Sequence, residues 1–162
     1  MARRVVELLA ITRGTHVLDV GSGVGKLCII GAAMTGALFV GVEQRAHLVD
    51  VAVAAAARAH ATTARFFHRD FSTVDIDTFD AVYLFNPFEE NVWEPDEWLD
   101  DTVAMSLAKA RADVVRAEEM LARARPGTRV VTYHGFGGDM PLAYRHLLSE
   151  RRGSGHLDLW VR

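Results

Sequence analysis

Val17-Leu18-Asp19-Val20-Gly21-Ser22-Gly23-Val24-Gly25-Lys26 decides the fold: an apolar run enters a turn with glycine at every second position. The run reads as a buried strand, and the following Lys26 to Met34 as an apolar helix. Glycines at such a strand-to-helix turn leave the backbone open where a Cβ would block a ligand. In open α/β sheets this is also the edge at which ligands bind. A nucleoside-triphosphate loop is excluded, because Leu27 follows Lys26 where a serine or threonine is needed and Val20 stands in place of the first glycine. The dinucleotide fingerprint fits poorly, with its third glycine one residue early.

Working outward, the chain alternates strand and helix. Ala2 to Leu9 reads as a short helix and His16 to Asp19 as the first strand. Ala37 to Val42 reads as a strand, Ala46 to about Ala61 as a helix, and Arg65 to His68 and Phe79 to Phe85 as strands. A long helix is expected from Trp98 or Asp100 to about Ala124, acidic at its start and basic at its end, stopped by Pro126-Gly127. Arg129 to Tyr133 is the fifth strand. The tail reads two ways: Asp139-Met140-Pro141 can cap a helix through Leu148, or Tyr144 to Leu148 and His156 to Val161 can pair as a hairpin around Gly153-Ser154-Gly155, which the alternation of Leu157, Leu159 and Val161 favours. The expected fold is α/β: a Rossmann-like, doubly wound, mostly parallel seven-stranded sheet with an antiparallel C-terminal strand and helices on both faces. Residues 1–162 are expected to form a single domain.

Three further strand ends carry chemistry. Phe39-Val40-Gly41-Val42-Glu43 ends in a carboxylate whose two oxygens can accept from both hydroxyls of a ribose, with Gln44 beside the adenine. Arg65 to Phe71 places Asp70 as an acceptor for an exocyclic amine and Phe71 as an apolar wall for a purine. The fourth strand ends in Asn86-Pro87-Phe88. There Asn86 can accept from an NH2 group and aim its lone pair, Pro87 stiffens the turn, and Phe88 can stack on a planar substrate or pack beside a methylene chain.

Taken together, Asp19-x-Gly21-x-Gly23-x-Gly25, Glu43 and Asp70 resemble the motifs of class I S-adenosylmethionine (SAM)-dependent methyltransferases. The resemblance implies SAM as cofactor, with S-adenosylhomocysteine as product. It places Asp19, Gly21, Ser22, Gly23, Gly25, Glu43, Gln44, Asp70, Phe71 and Asn86 around the cofactor. Asn86, Pro87 and Phe88 fall at the reacting edge. Asn86-Pro87-Phe88 is similar to a shortened Asn-Pro-Pro-aromatic motif of N-methyltransferases, and residues 15–90 have a weaker resemblance to Dot1-like lysine methyltransferases. Transfer to an amine or amide nitrogen is the function these imply. An NAD-dependent oxidoreductase and a non-catalytic SAM-binding module or partner subunit are the alternatives. The short stretch before the first strand favours the second of these.

The acceptor itself is unidentified. Glu89, Glu90, Glu94, Asp96, Glu97, Asp100 and Asp101, with Trp93 and Trp98, follow the reacting edge. As a lid they would attract a cationic acceptor, so a protein amine is favoured over nucleic acid. A net charge of -3 also speaks against a stand-alone nucleic-acid binder. Cys28 is the single cysteine, the histidines show no metal-ligand spacing, and no metal is expected. No apolar run reaches the ~18 residues a membrane helix needs. A cytoplasmic protein is expected, its oligomeric state open.

Overall fold

A computed structural model describes residues 1–162. The strands are β1 (His16–Val20), β2 (Leu38–Glu43), β3 (Ala64–His68), β4 (Ala81–Phe85), β5 (Arg129–Tyr133), β6 (Arg145–Arg152) and β7 (Gly155–Val161). They form one sheet in the order β3-β2-β1-β4-β5-β7-β6. Pairing is parallel from β3 through β5, while β7 runs antiparallel to β5 and β6. The Rossmann-like sheet and the terminal hairpin are as the alternation predicts.

Period-two alternation divides the strand side chains between two cores. Val17, Phe39, Tyr83 and Val131 face α1 (Ala2–Leu8), α2 (Lys26–Thr35) and α3 (Ala46–Arg58). Leu18, Val20, Val82 and Val130 face α4 (Leu107–Arg123), whose Ala117, Met120 and Leu121 are fully buried. The chain reverses direction in the sheet between β3 and β4, on either side of β1, so the carboxyl ends of β1, β2 and β4 border one crevice.

The start of α4 departs from expectation. Residues 98–106 are not helical, and the helix begins after Ser106, whose Oγ accepts from the Lys109 amide at 3.0 Å. Local side-chain bonds win over helix upstream of that point. Glu94 and Glu97 form a capping box around a single turn at Pro95–Glu97. Asp100 captures the amide and hydroxyl of Thr102 at 2.9 and 2.6 Å. The acids therefore do not complement the α4 dipole; its first turn contains none. No helix is long and apolar enough to cross a membrane.

Candidate active site

The crevice at these strand ends is a cleft of about 580 Å³. Its floor is the glycine turn. Gly21 and Gly23 adopt φ of 73° and 51°, the left-handed region that disfavours other residues. The Gly21 and Ser22 amides bond the Val42 carbonyl at 2.9 and 3.1 Å, which ties the turn to the end of β2. A Cβ on Gly21 would lie 2.9 Å from Cβ of Pro87, so the turn and the Asn-Pro-Phe edge touch. Sequence spacing alone does not reveal that contact.

Glu43 sits at the mouth of β2, 6% exposed and bordering the cleft. Its Oε2 accepts from the Gly23 amide and its Oε1 from the Arg45 amide, both at 3.0 Å. Each oxygen keeps lone-pair capacity for a further donor. Gln44, Asp70, Phe71, Asn86 and Pro87 also line the cleft.

Three residues of the turn lie elsewhere. Asp19, Ser22 and Gly25 are not among the cleft-lining residues. β1 alternation turns Asp19 toward α2, where the Cys28 thiol donates to its Oδ2 at 3.4 Å. Ser22 Oγ is buried behind the turn against Gly41. Gly25 is the N-cap of α2 at φ 76°, and a Cβ there would meet the Phe66 ring at 2.5 Å. Its glycine is a packing requirement.

Burial pushes the Asp19 carboxyl from 3.8 up to about 7, the Glu43 charge adding to it against the Cys28 hydrogen bond. Burial likewise keeps the Cys28 thiol protonated. Because the native state holds the extra proton between the two Asp19 values, stability falls as pH rises from 3.8 toward 7. Thermal melts over that range are expected to show this fall in the wild type and a flatter profile for Asp19→Asn. Parallel profiles would contradict the assignment.

Asp70 is committed to partners that the sequence does not reveal. Its Oδ1 accepts from the Ser72 amide at 2.8 Å and its Oδ2 from Arg116 at 2.7 Å. Burial works to raise its pKa, but the Ser72 bonds and the Arg116 guanidinium hold it below the usual carboxylate value. Arg116 also pairs with Asp113, which is 2% exposed and takes Lys109 on its other oxygen. These α4 side chains line the cleft. The α4 register that brings them there follows from where the helix starts, which the sequence misplaces.

At the reacting edge Asn86 takes a left-handed φ of 39°, and its amide bonds the Gly135 carbonyl at 3.1 Å. Phe88 also lines the cleft, but nearly all of it is covered, as is Phe71 at 9% exposure. Phe88 is 6% exposed, with its ring centroid 5.1 Å from that of Phe71, inside the core beneath α4. The exposed aromatic here is Phe85, at 53%. An apolar strand end gives no sign of this, since Phe85 reads as core.

The acid-rich segment is clasped by a residue absent from the expectations. Arg45, 4% exposed, donates to Glu90 Oε1 at 2.9 Å and Asp100 Oδ1 at 3.0 Å. Glu89, Glu90, Trp93 and Leu99 thereby border the cleft. No group of three or more His, Cys, Asp or Glu is gathered to hold a metal.

A seven-stranded Rossmann-like sheet, glycine turn and carboxylate at the second strand end define the class I methyltransferase architecture. The family described as "Methyltransferase domain" matches residues 17–106, more than half of the chain, and the chain belongs to it. Among solved structures it is similar to an RNA methyltransferase from Salinibacter ruber in complex with S-adenosyl-L-homocysteine. That pair has a TM-score of 0.71 and 24% identity over 99% of this chain and 88% of the other. TrmN from Thermus thermophilus superposes with a TM-score of 0.74 at 16% identity, over 99% of this chain and 48% of TrmN. A SAM-dependent methyltransferase from Aquifex aeolicus gives 0.67 at 14% identity, over 99% and 88%. Among curated proteins, none matches the chain in sequence. The chain is thus a class I SAM-dependent methyltransferase, its fold as the sequence predicts.

Proposed function

We propose that this methyltransferase transfers the methyl group of SAM to an amine or amide nitrogen, with Asn86 orienting the acceptor. The observation that carries the reading is the contact of Pro87 with Gly21, which holds Asn86 beside the glycine turn at the mouth of the cleft. Glu43 would hold the ribose hydroxyls, with Phe71 against the adenine and Gln44 and Asp70 at its polar edge. The left-handed turn at Gly21 and Gly23 leaves room for the methionine portion. SAM would supply a methyl on a sulfonium for attack by the acceptor nitrogen's lone pair, the S–C pair returning to sulfur and the nitrogen's proton passing to water. The protein's own contribution is alignment. Asn86 accepts from the acceptor N–H, on a left-handed backbone closed by the Gly135 bond.

Asn86→Gly tests the assignment with little backbone cost, because glycine accepts the observed φ. Single-turnover methyl transfer is expected to fall by about a hundredfold, as when a positioning contact is removed. S-adenosylhomocysteine affinity, read by calorimetry, is expected to stay unchanged. Methyl transfer at the wild-type rate would remove Asn86 from the mechanism. The acceptor screen uses tritiated SAM against protein, RNA and small-molecule fractions. The Salinibacter ruber relative is described as an RNA methyltransferase, while the acid-rich segment favours a protein amine by charge.

A further inference from the structure

We infer that the acceptor side of the cleft takes a nucleobase of a single-stranded nucleic acid, stacked on Phe85, with the backbone phosphates drawn to Arg151 and Arg152. This rests on the N-methyltransferase reading above and names its substrate class.

Phe85 lines the cleft immediately before Asn86 and is half exposed. A large apolar ring left in water at a strand end is held there by neighbours that fix its plane. Its edge meets Tyr133, with centroids 4.8 Å apart at 61°, and its plane lies 16° from that of His134, with centroids 6.0 Å apart. The tip of the β6–β7 hairpin fixes those two in turn. Tyr133 Oη donates to the Arg152 carbonyl at 2.7 Å, and Ser154 Oγ lies 3.2 Å from His134 Nε2. The His134 ring presses so closely on Gly155 that a Cβ there would come within 2.3 Å. Phe85 is therefore a pre-set platform, and a ring stacked on it loses little freedom to protein rearrangement. A lysine chain can also lie along such a ring, but only a planar base covers it with a full π-face.

Charge on this flank agrees. Arg151 is exposed and makes no ion pair. Glu150 is the one acid among these tip residues, and both Arg4 and Arg152 bond it at 2.9 Å. The flank is thus net positive. The acid-rich segment, by contrast, is drawn toward β2, where Arg45 pairs with both Glu90 and Asp100. Strand order puts β2 and the hairpin on opposite sides of β4, so the acids held by Arg45 and the arginines of the hairpin tip lie on opposite sides of the acceptor edge. The charge argument for a protein amine loses one unit of negative charge in this way.

The test is fluorescence anisotropy in the presence of S-adenosylhomocysteine. The probes are a fluorescein-labelled mixed-sequence RNA of about a dozen nucleotides, its DNA counterpart and a lysine-rich peptide. The RNA or the DNA is expected to bind with a marked salt dependence, and whichever binds tighter identifies the source. Phe85→Ala is expected to weaken binding about tenfold and Phe85→Trp to restore it. Arg151→Gln and Arg152→Gln are each expected to lower the salt slope by about one. Calorimetry with S-adenosylhomocysteine on every variant separates loss of this subsite from loss of the cofactor site or the fold. Binding of the peptide but neither nucleic acid, or unaltered nucleic-acid affinity in Phe85→Ala, would overturn the proposal.

Discussion

Glu43→Ala is expected to weaken S-adenosylhomocysteine binding by about a hundredfold or more. Hydrogen bonds to a charged carboxylate contribute about 1.5–3 kcal/mol each, and each 1.4 kcal/mol is a factor of ten. In the proposed complex two such bonds go to the ribose hydroxyls. The substitution also removes the acceptors for the Gly23 and Arg45 amides. The glycine turn then loses one of its ties to β2, so the floor of the site loosens along with the lost ligand contact. Glu43→Gln keeps one oxygen of the right shape and is expected to fall between wild type and Glu43→Ala. Calorimetry measures all three, with circular dichroism reporting that the fold is retained. An affinity for Glu43→Ala within a few-fold of wild type would show that this carboxylate does not hold the ribose.

Gly25→Val is expected to have the largest effect on stability, at a residue that does not line the cleft. A left-handed φ costs a non-glycine residue about 1–2 kcal/mol, and a β-branched side chain is among the worst fits there. The new Cβ must also displace the buried Phe66 ring, 2.5 Å away, with Ala52 only 3.1 Å off on α3. Overpacking of this kind costs about 1–3 kcal/mol. A combined loss of about 2–5 kcal/mol corresponds to a drop in melting temperature of roughly 5–15 °C for a domain of this size. Differential scanning calorimetry checks it. A melting temperature within a degree or two of wild type would mean that the α2 start is not packed as described.

Glu43 and Gly25 show where sequence reading reaches and where it stops. The order of strands and helices was legible because apolar periodicity and turn residues are local signals. The hairpin at Gly153 to Gly155 was legible for the same reason. Spacing also located Glu43 and Asn86 at strand ends. It did not reveal which way a side chain turns. Asp19 and Gly25 belong to the glycine motif, yet β1 alternation and the α2 start turn them into packing. Phe85 and Phe88 look interchangeable as apolar residues flanking Asn86-Pro87. Only the sheet and α4 decide that Phe88 is core and Phe85 is exposed. Arg45 and Arg116 were illegible because their roles depend on partners far along the chain, and Lys109 because its place at the cleft depends on where α4 starts. The start of α4 was misplaced because Asp100 and Glu97 spend their carboxylates on local turns, a competition that a helical acid-to-base gradient conceals.

Isothermal titration of the wild-type chain with S-adenosylhomocysteine, and separately with NAD, tests the central claim most directly. A saturable one-to-one isotherm with S-adenosylhomocysteine and no heat of binding with NAD is the predicted result. Binding of NAD with no binding of S-adenosylhomocysteine would contradict the account.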